Sequence, residues 1–195
     1  DLDKDDLKRL VKRRHRNDPE VSSVAGADWA ERKPPQNLLV KASAAEDAVA
    51  DELDRVWLHP AGSSPYSGAA TALFPWTIAK AFLSSPAALR QTISERRQRI
   101  TAHSPRQDQQ IEIEALDRLN TLNDAAFDSS SKYDELVRYL RHIGIDRRQP
   151  ERAVVFAERV ATLHWLRDRL IDDLSLTADQ VAVLHGGLSD TEQQQ

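Results

Sequence analysis

The stretch RAVVFAERVATLHWLRDRLIDDLSLTADQVAVLHGG, residues 152–187, decides how the chain reads as a fold. In RAVVFA five apolar residues, two of them β-branched, follow Arg152, the composition of a strand. VATLHWLRDRLIDDL then switches to helical spacing, and Trp165, Leu163 and Leu166 read as core. QVAVLHG returns to strand composition, with Val181, Val183 and Leu184 as its apolar run. Just upstream, Ser130 or Ser131 caps a helix carrying Leu136, Val137, Leu140 and Ile143, and Gly144 supplies its stop. Helix, strand, helix, strand with short connections predicts a parallel α/β layer. Gly186 and Gly187 break the last strand, and Ser189 with Glu192 three residues on forms a capping box. That final helix has a cap and almost no body, so the sequence reads as truncated inside a domain.

Working back toward the start, the first two-thirds read as helices. Leu7, Leu10 and Val11 share one face of an opening helix. Pro34-Pro35 forbid a helix around them, and QNLLVKA (36–42) resembles a short strand. Ser43 and Glu46 form a capping box, followed by Val49, Leu53, Val56 and Trp57 at helical spacing. HPAGSSPYSG (59–68) is a loop, and an apolar helix follows from about Leu73 to Leu83. Ser85-Pro86 give an N-cap with proline at the first helical position, ahead of Leu89, Ile93 and Ile100. A long polar helix from about Asp108 places Ile111, Ala115, Leu119 and Leu122 on one side. The expected architecture is a mainly helical segment feeding the first half of an α/β domain.

Composition excludes several classes of function. The 195 residues contain no cysteine and no methionine, so disulfides and thiolate metal sites are ruled out. The six histidines form no HExxH pairing. No apolar run approaches the roughly 20 residues that cross a bilayer, and cytoplasm is the expected compartment. A net charge of −4 argues against a generic nucleic-acid binder, yet the cations are clustered. Residues 8–16 carry six Lys/Arg and no acid, and residues 90–106 carry five arginines against one glutamate. Such stripes either meet phosphates or form solvated helix faces. The tetrads Asp51-Glu52-Leu53-Asp54 and Asp134-Glu135-Leu136-Val137 imitate an Mg²⁺-holding acidic box. They fall inside amphipathic helices rather than at a strand end, so they predict no metal site. A GxxxxGK(S/T) phosphate loop is absent, and no catalytic residues stand out.

Read in order, several segments resemble superfamily 2 helicases, and among them the Swi/Snf-related, RapA-like translocases. RAVVFAERVATLHWLRDRL (152–170) resembles the strand and helix that open the family's second RecA-like lobe, and VAVLHGGLSDTEQQQ (181–195) its next strand and helix start. SSSKYDELVRYL (129–140) resembles the helix introducing that lobe. LVKRRHRND (10–18), ERKPPQNLLVKASAAEDAVADELDRVW (31–57) and FLSSPAALRQTISERRQRI (82–100) resemble segments after the first lobe and the linker helix. The family usually has an arginine near the position of Gln193. The resemblance implies a helical inter-lobe segment over 1–127 and the first half of a RecA-like lobe over 128–195. It implies part of an ATP-dependent DNA helicase or translocase, with ATP and Mg²⁺ bound by the parent enzyme and not by these residues, and a possible protein partner. It also implies that Glu158, Arg159, His185, Gly186, Gly187 and Ser189 meet the nucleic-acid backbone, without sequence preference. An ordinary helical interaction module with a small α/β cap is the alternative.

Overall fold

A computed structural model describes residues 18, 19, 21, 33–68, 73–145 and 152–187. The chain divides into two compact units, Asp1–Leu38 and Leu39–Gln195. The described residues of the second unit form six α-helices: α1 (Ala44–Glu52), α2 (Leu73–Ser84), α3 (Pro86–Thr101), α4 (Gln107–Ala126), α5 (Ser131–His142) and α6 (Val160–Asp173). A π-helical turn, Leu53–Leu58, extends α1.

Local chemistry sets the helix ends. The Ser43 hydroxyl accepts from the Glu46 amide at 3.2 Å, and the Glu46 carboxylate accepts from the Ser43 amide at 2.8 Å, which is the capping box. Ser85 caps α3 through the Ala88 amide at 3.1 Å, with Pro86 at the first helical position. α5 ends at Gly144, whose φ of 85° only glycine adopts without strain. There the Ile145 amide donates to the Leu140 carbonyl and the Gly144 amide to that of Arg141, a Schellman motif. α6 closes the same way on Ser175, a non-glycine residue at φ 53°.

Helices α1 to α4 enclose one apolar cluster, in which Val49, Trp57, Ile78, Leu89, Leu116 and Leu119 are almost completely buried. Tyr66, from the 59–68 loop, stacks on Phe74 with ring centroids 5.2 Å apart. Tyr133, Val137 and Leu140 of α5 meet Leu166, Leu170 and Leu174 in a second cluster. Glu46 ties α1 to α5: besides its own capping box, it accepts from the Ser131 amide (3.1 Å) and hydroxyl (2.6 Å).

The expected α/β class is overturned. Among the described residues there is no β-strand, so no parallel α/β layer and no RecA-like lobe is present there. RAVVFA and QNLLVKA run without helix or ladder, and QVAVLHG does so after Gln180, which closes a 3-10 turn, Ala178–Gln180. Val154 and Phe156 are 77% and 91% exposed while Val155 and Ala157 are half-buried, so residues 154–157 alternate as a strand would, whereas Arg152 and Ala153 are both exposed. A strand, however, exists only through a partner backbone, and β-propensity measures packing within a sheet. Among the described residues neither segment finds one. The phase of α4 also differs from expectation. Ile111 is exposed, and Glu112 and Ile113 turn inward with Ala115, Leu116 and Leu119. No helix of the described residues is long and apolar enough to cross a membrane.

Candidate nucleic-acid interface

The sequence-predicted contact residues gather around one helix. Arg159 is the N-cap of α6, with extended backbone (φ −114°, ψ 129°); its carbonyl accepts from the amides of Thr162 and Leu163 at 3.0 and 3.3 Å. Its side chain is half-buried rather than fully exposed, and it forms no ion pair among the described residues. Glu158, the residue before it, is exposed. The 181–187 segment returns along α6 in the opposite direction. Arg167 Nε donates to the Val181 carbonyl at 3.4 Å, and the His185 ring stands edge-on to the His164 ring at 5.9 Å. The Gly187 amide donates to His185 Nδ1 at 3.1 Å, which orients that imidazole. The two loops implied by the resemblance therefore lie beside the N-terminal half of one helix. Gly186 and Gly187 are exposed and neither has positive φ, so the chain turns there without the left-handed conformation glycine permits. Ser189 lies outside the described residues.

A half-buried arginine beside a helix N-terminus suits oxyanions, because helix N-terminal amides and arginine are both donors with positive potential. No side chain caps the α6 N-terminus, and of its first amides those of Val160 and Ala161 have no partner among the described residues, while those of Thr162 and Leu163 already donate to the Arg159 carbonyl.

The arginine stripe of residues 90–106 is used differently. Arg90 pairs with Asp124 at 2.7 Å and lies over the Phe127 ring at 3.8 Å. Arg96 pairs with Glu112, Arg97 with Asp117 and Arg106 with Asp108, at 2.7, 2.8 and 3.0 Å. Arg99 Nε donates to the Glu95 carbonyl one turn back. The stripe thus packs α3 onto α4 and caps α4, which decides between its two readings in favour of the helix face. The run at 8–16 lies outside the described residues. In the acidic tetrads, Glu52 pairs with Arg118 at 2.7 Å, Asp54 with His59 at 2.7 Å, and Glu135 with Arg138.

Sequence reasoning missed the most buried charge. Glu112 is 0% exposed and accepts from Arg96 Nε and Nη2 at 2.7 and 2.8 Å and from the Ser67 amide and hydroxyl at 3.0 and 2.6 Å. Burial pushes its carboxyl up, and the hydrogen bonds from Arg96 and Ser67 outweigh that, holding it below the ordinary carboxylate range. Its role is to fix the 59–68 loop against α3 and α4. A glutamate beside Ile111 and Ile113 gives no sequence signal for this, since either helical phase is compatible with the pattern.

No family model, curated protein or solved structure matches the chain.

Proposed function

We propose that the chain is part of an ATP-dependent DNA helicase or translocase, a DNA-dependent ATPase, and contributes contacts to the nucleic-acid backbone. ATP and Mg²⁺ serve the whole motor and are not ligands of these residues. The ordered segment-by-segment resemblance motivates this reading. The observation that carries it is Arg159 at the N-terminus of α6, without a counter-ion among the described residues, with the His185–Gly187 segment against the next turn of the same helix. Backbone amides and one guanidinium recognise phosphate without reading bases, which fits sequence-independent movement along DNA.

The test is the salt dependence of duplex binding, read by fluorescence anisotropy. Each phosphate contact contributes about 0.9 to the slope of log affinity against log salt. Arg159→Ala is expected to flatten the slope by about that amount. An unchanged slope rejects Arg159 as a phosphate contact.

A second reading, a non-catalytic helical interaction module, is favoured by α2. That helix buries Phe74 and Ile78 on one side and exposes Leu73, Trp76 and Leu83 on the other. Absence of any salt-sensitive DNA binding by the intact chain selects this reading over the first.

A further inference from the structure

Where the α2–α3 corner, the start of α5 and the segment entering α6 meet, they leave a cavity of about 440 Å³, within the size range of small-molecule sites. One part of its wall is apolar, formed by Leu83, Leu136 and Leu166 with the rings of Tyr133 and Trp165, whose centroids are 5.1 Å apart. Lys80, Lys132 and Ser130 supply the polar part.

The donors here are out of balance with the acceptors. Ser130 is 4% exposed and stands at the N-cap of α5, yet its hydroxyl caps nothing and makes no hydrogen bond among the described residues. Ordinarily such a serine would accept from an amide in the first turn. The amides of Lys132 and Tyr133, in that first turn, are without partners among the described residues as well. The indole Nε1 of Trp165 is buried and also unpartnered there. Lys80 has no ion pair among the described residues, and the Lys132 ammonium donates only to the Leu83 carbonyl. Burial pulls the Lys132 ammonium below its ordinary range, while the charge of Glu46 opposes that shift. Glu46 is engaged by Ser131 and is not part of the wall; Glu158 is the acid that is. Of these side-chain donors the Trp165 N–H is buried and unsatisfied, while the Ser130 hydroxyl and the two lysines border the cavity with acceptors still to be supplied.

We propose that this cavity binds a small aromatic anion, its phosphate or carboxylate held by the Ser130 hydroxyl, the first-turn amides of α5 and the two lysines, its ring beside Tyr133 and Trp165. A free organic phosphate and the terminal phosphate of a nucleic-acid strand share this chemistry. The site does not depend on Arg159, so failure of the salt-slope test and failure of the titration are separate results.

Isothermal titration of the intact chain with 1-naphthyl phosphate is expected to give saturable one-to-one binding. Ser130→Ala and Lys132→Gln should each weaken it about tenfold, the scale of one hydrogen bond to a charged group. Glu158→Gln should tighten it, since it removes the negative charge from the wall. The Trp165 indole N–H resonance, assigned with Trp165→Phe, should shift during the same titration. Circular dichroism verifies that the variants remain folded; Ser130→Ala removes a hydroxyl that bonds to nothing among the described residues. A 5′-phosphorylated single strand that shifts the same resonance, where its dephosphorylated form does not, identifies a strand end as the source. A shift with 1-naphthyl phosphate alone identifies a free organic phosphate. No saturable binding at millimolar concentration, or equal affinity in wild type, Ser130→Ala and Lys132→Gln, overturns the proposal.

Discussion

Replacing Glu112 by glutamine tests how the larger helical cluster is held. The carboxylate is fully buried and receives four hydrogen bonds, one on Oε1 from Arg96 and three on Oε2 from Arg96 and Ser67. A glutamine has one acceptor oxygen. With that oxygen at the Oε2 position, its NH₂ faces the Arg96 Nε–H, so donor meets donor and the guanidinium loses its counter-charge. The Arg96 side chain is only 16% exposed, so water compensates little. Removing one partner of a buried pair costs about 3–5 kcal/mol. At about 2–4 °C per kcal/mol for a chain of this size, the melting temperature should fall by roughly 6–20 °C. Urea unfolding followed by circular dichroism measures the loss directly. Glu112→Leu combined with Arg96→Met should cost less than Glu112→Gln alone, because no charge is left stranded. The pH dependence has a definite sign. The folded carboxyl titrates below its ordinary 4.5, so its stabilisation is complete above that pH and is lost as pH falls through the folded value. The gap between wild type and Glu112→Gln should therefore close in acid. A loss under about 1 kcal/mol at neutral pH with an unchanged urea slope would refute the reasoning, since it would mean the pair is solvated.

Two further predictions concern the smaller cluster. The Tyr133 hydroxyl donates to Asp173 Oδ2 at 2.5 Å, so Tyr133→Phe should cost about 1.5–3 kcal/mol by urea unfolding. Burial and the Asp173 bond push the phenol well above its ordinary 10.0; its stabilisation is complete below that pH and is lost as pH rises, so wild type should weaken above pH 10.0 while Tyr133→Phe holds a flatter profile. Ser175→Gly relieves a left-handed residue at φ 53°. It should gain about 0.5–1 kcal/mol after the greater freedom of glycine in the unfolded chain is subtracted, and Ser175→Ala should gain nothing; thermal melts of the three proteins decide it.

By itself the sequence determined where helices begin and stop. Ser43 with Glu46, Ser85 with Pro86, and Gly144 act on amides and carbonyls within a few residues of themselves, so their chemistry is legible from spacing. It also placed Arg159 at the start of a helix and His185–Gly187 just past an apolar run, although not their meeting on α6. What it left open depends on distant partners. RAVVFA and QVAVLHG have strand composition, but a ladder is a property of two backbones, and the described residues supply no second one. The arginines of residues 90–106 looked available for phosphate until α4 laid Asp117, Glu112 and Asp124 against them. The phase of α4, which exposes Ile111 and buries Glu112, was chosen by the faces of α1 and α3 and by Ser67, far away in sequence. Local hydrogen bonds are written in neighbouring residues; burial and charge pairing are written between helices, and only the tertiary structure decided them.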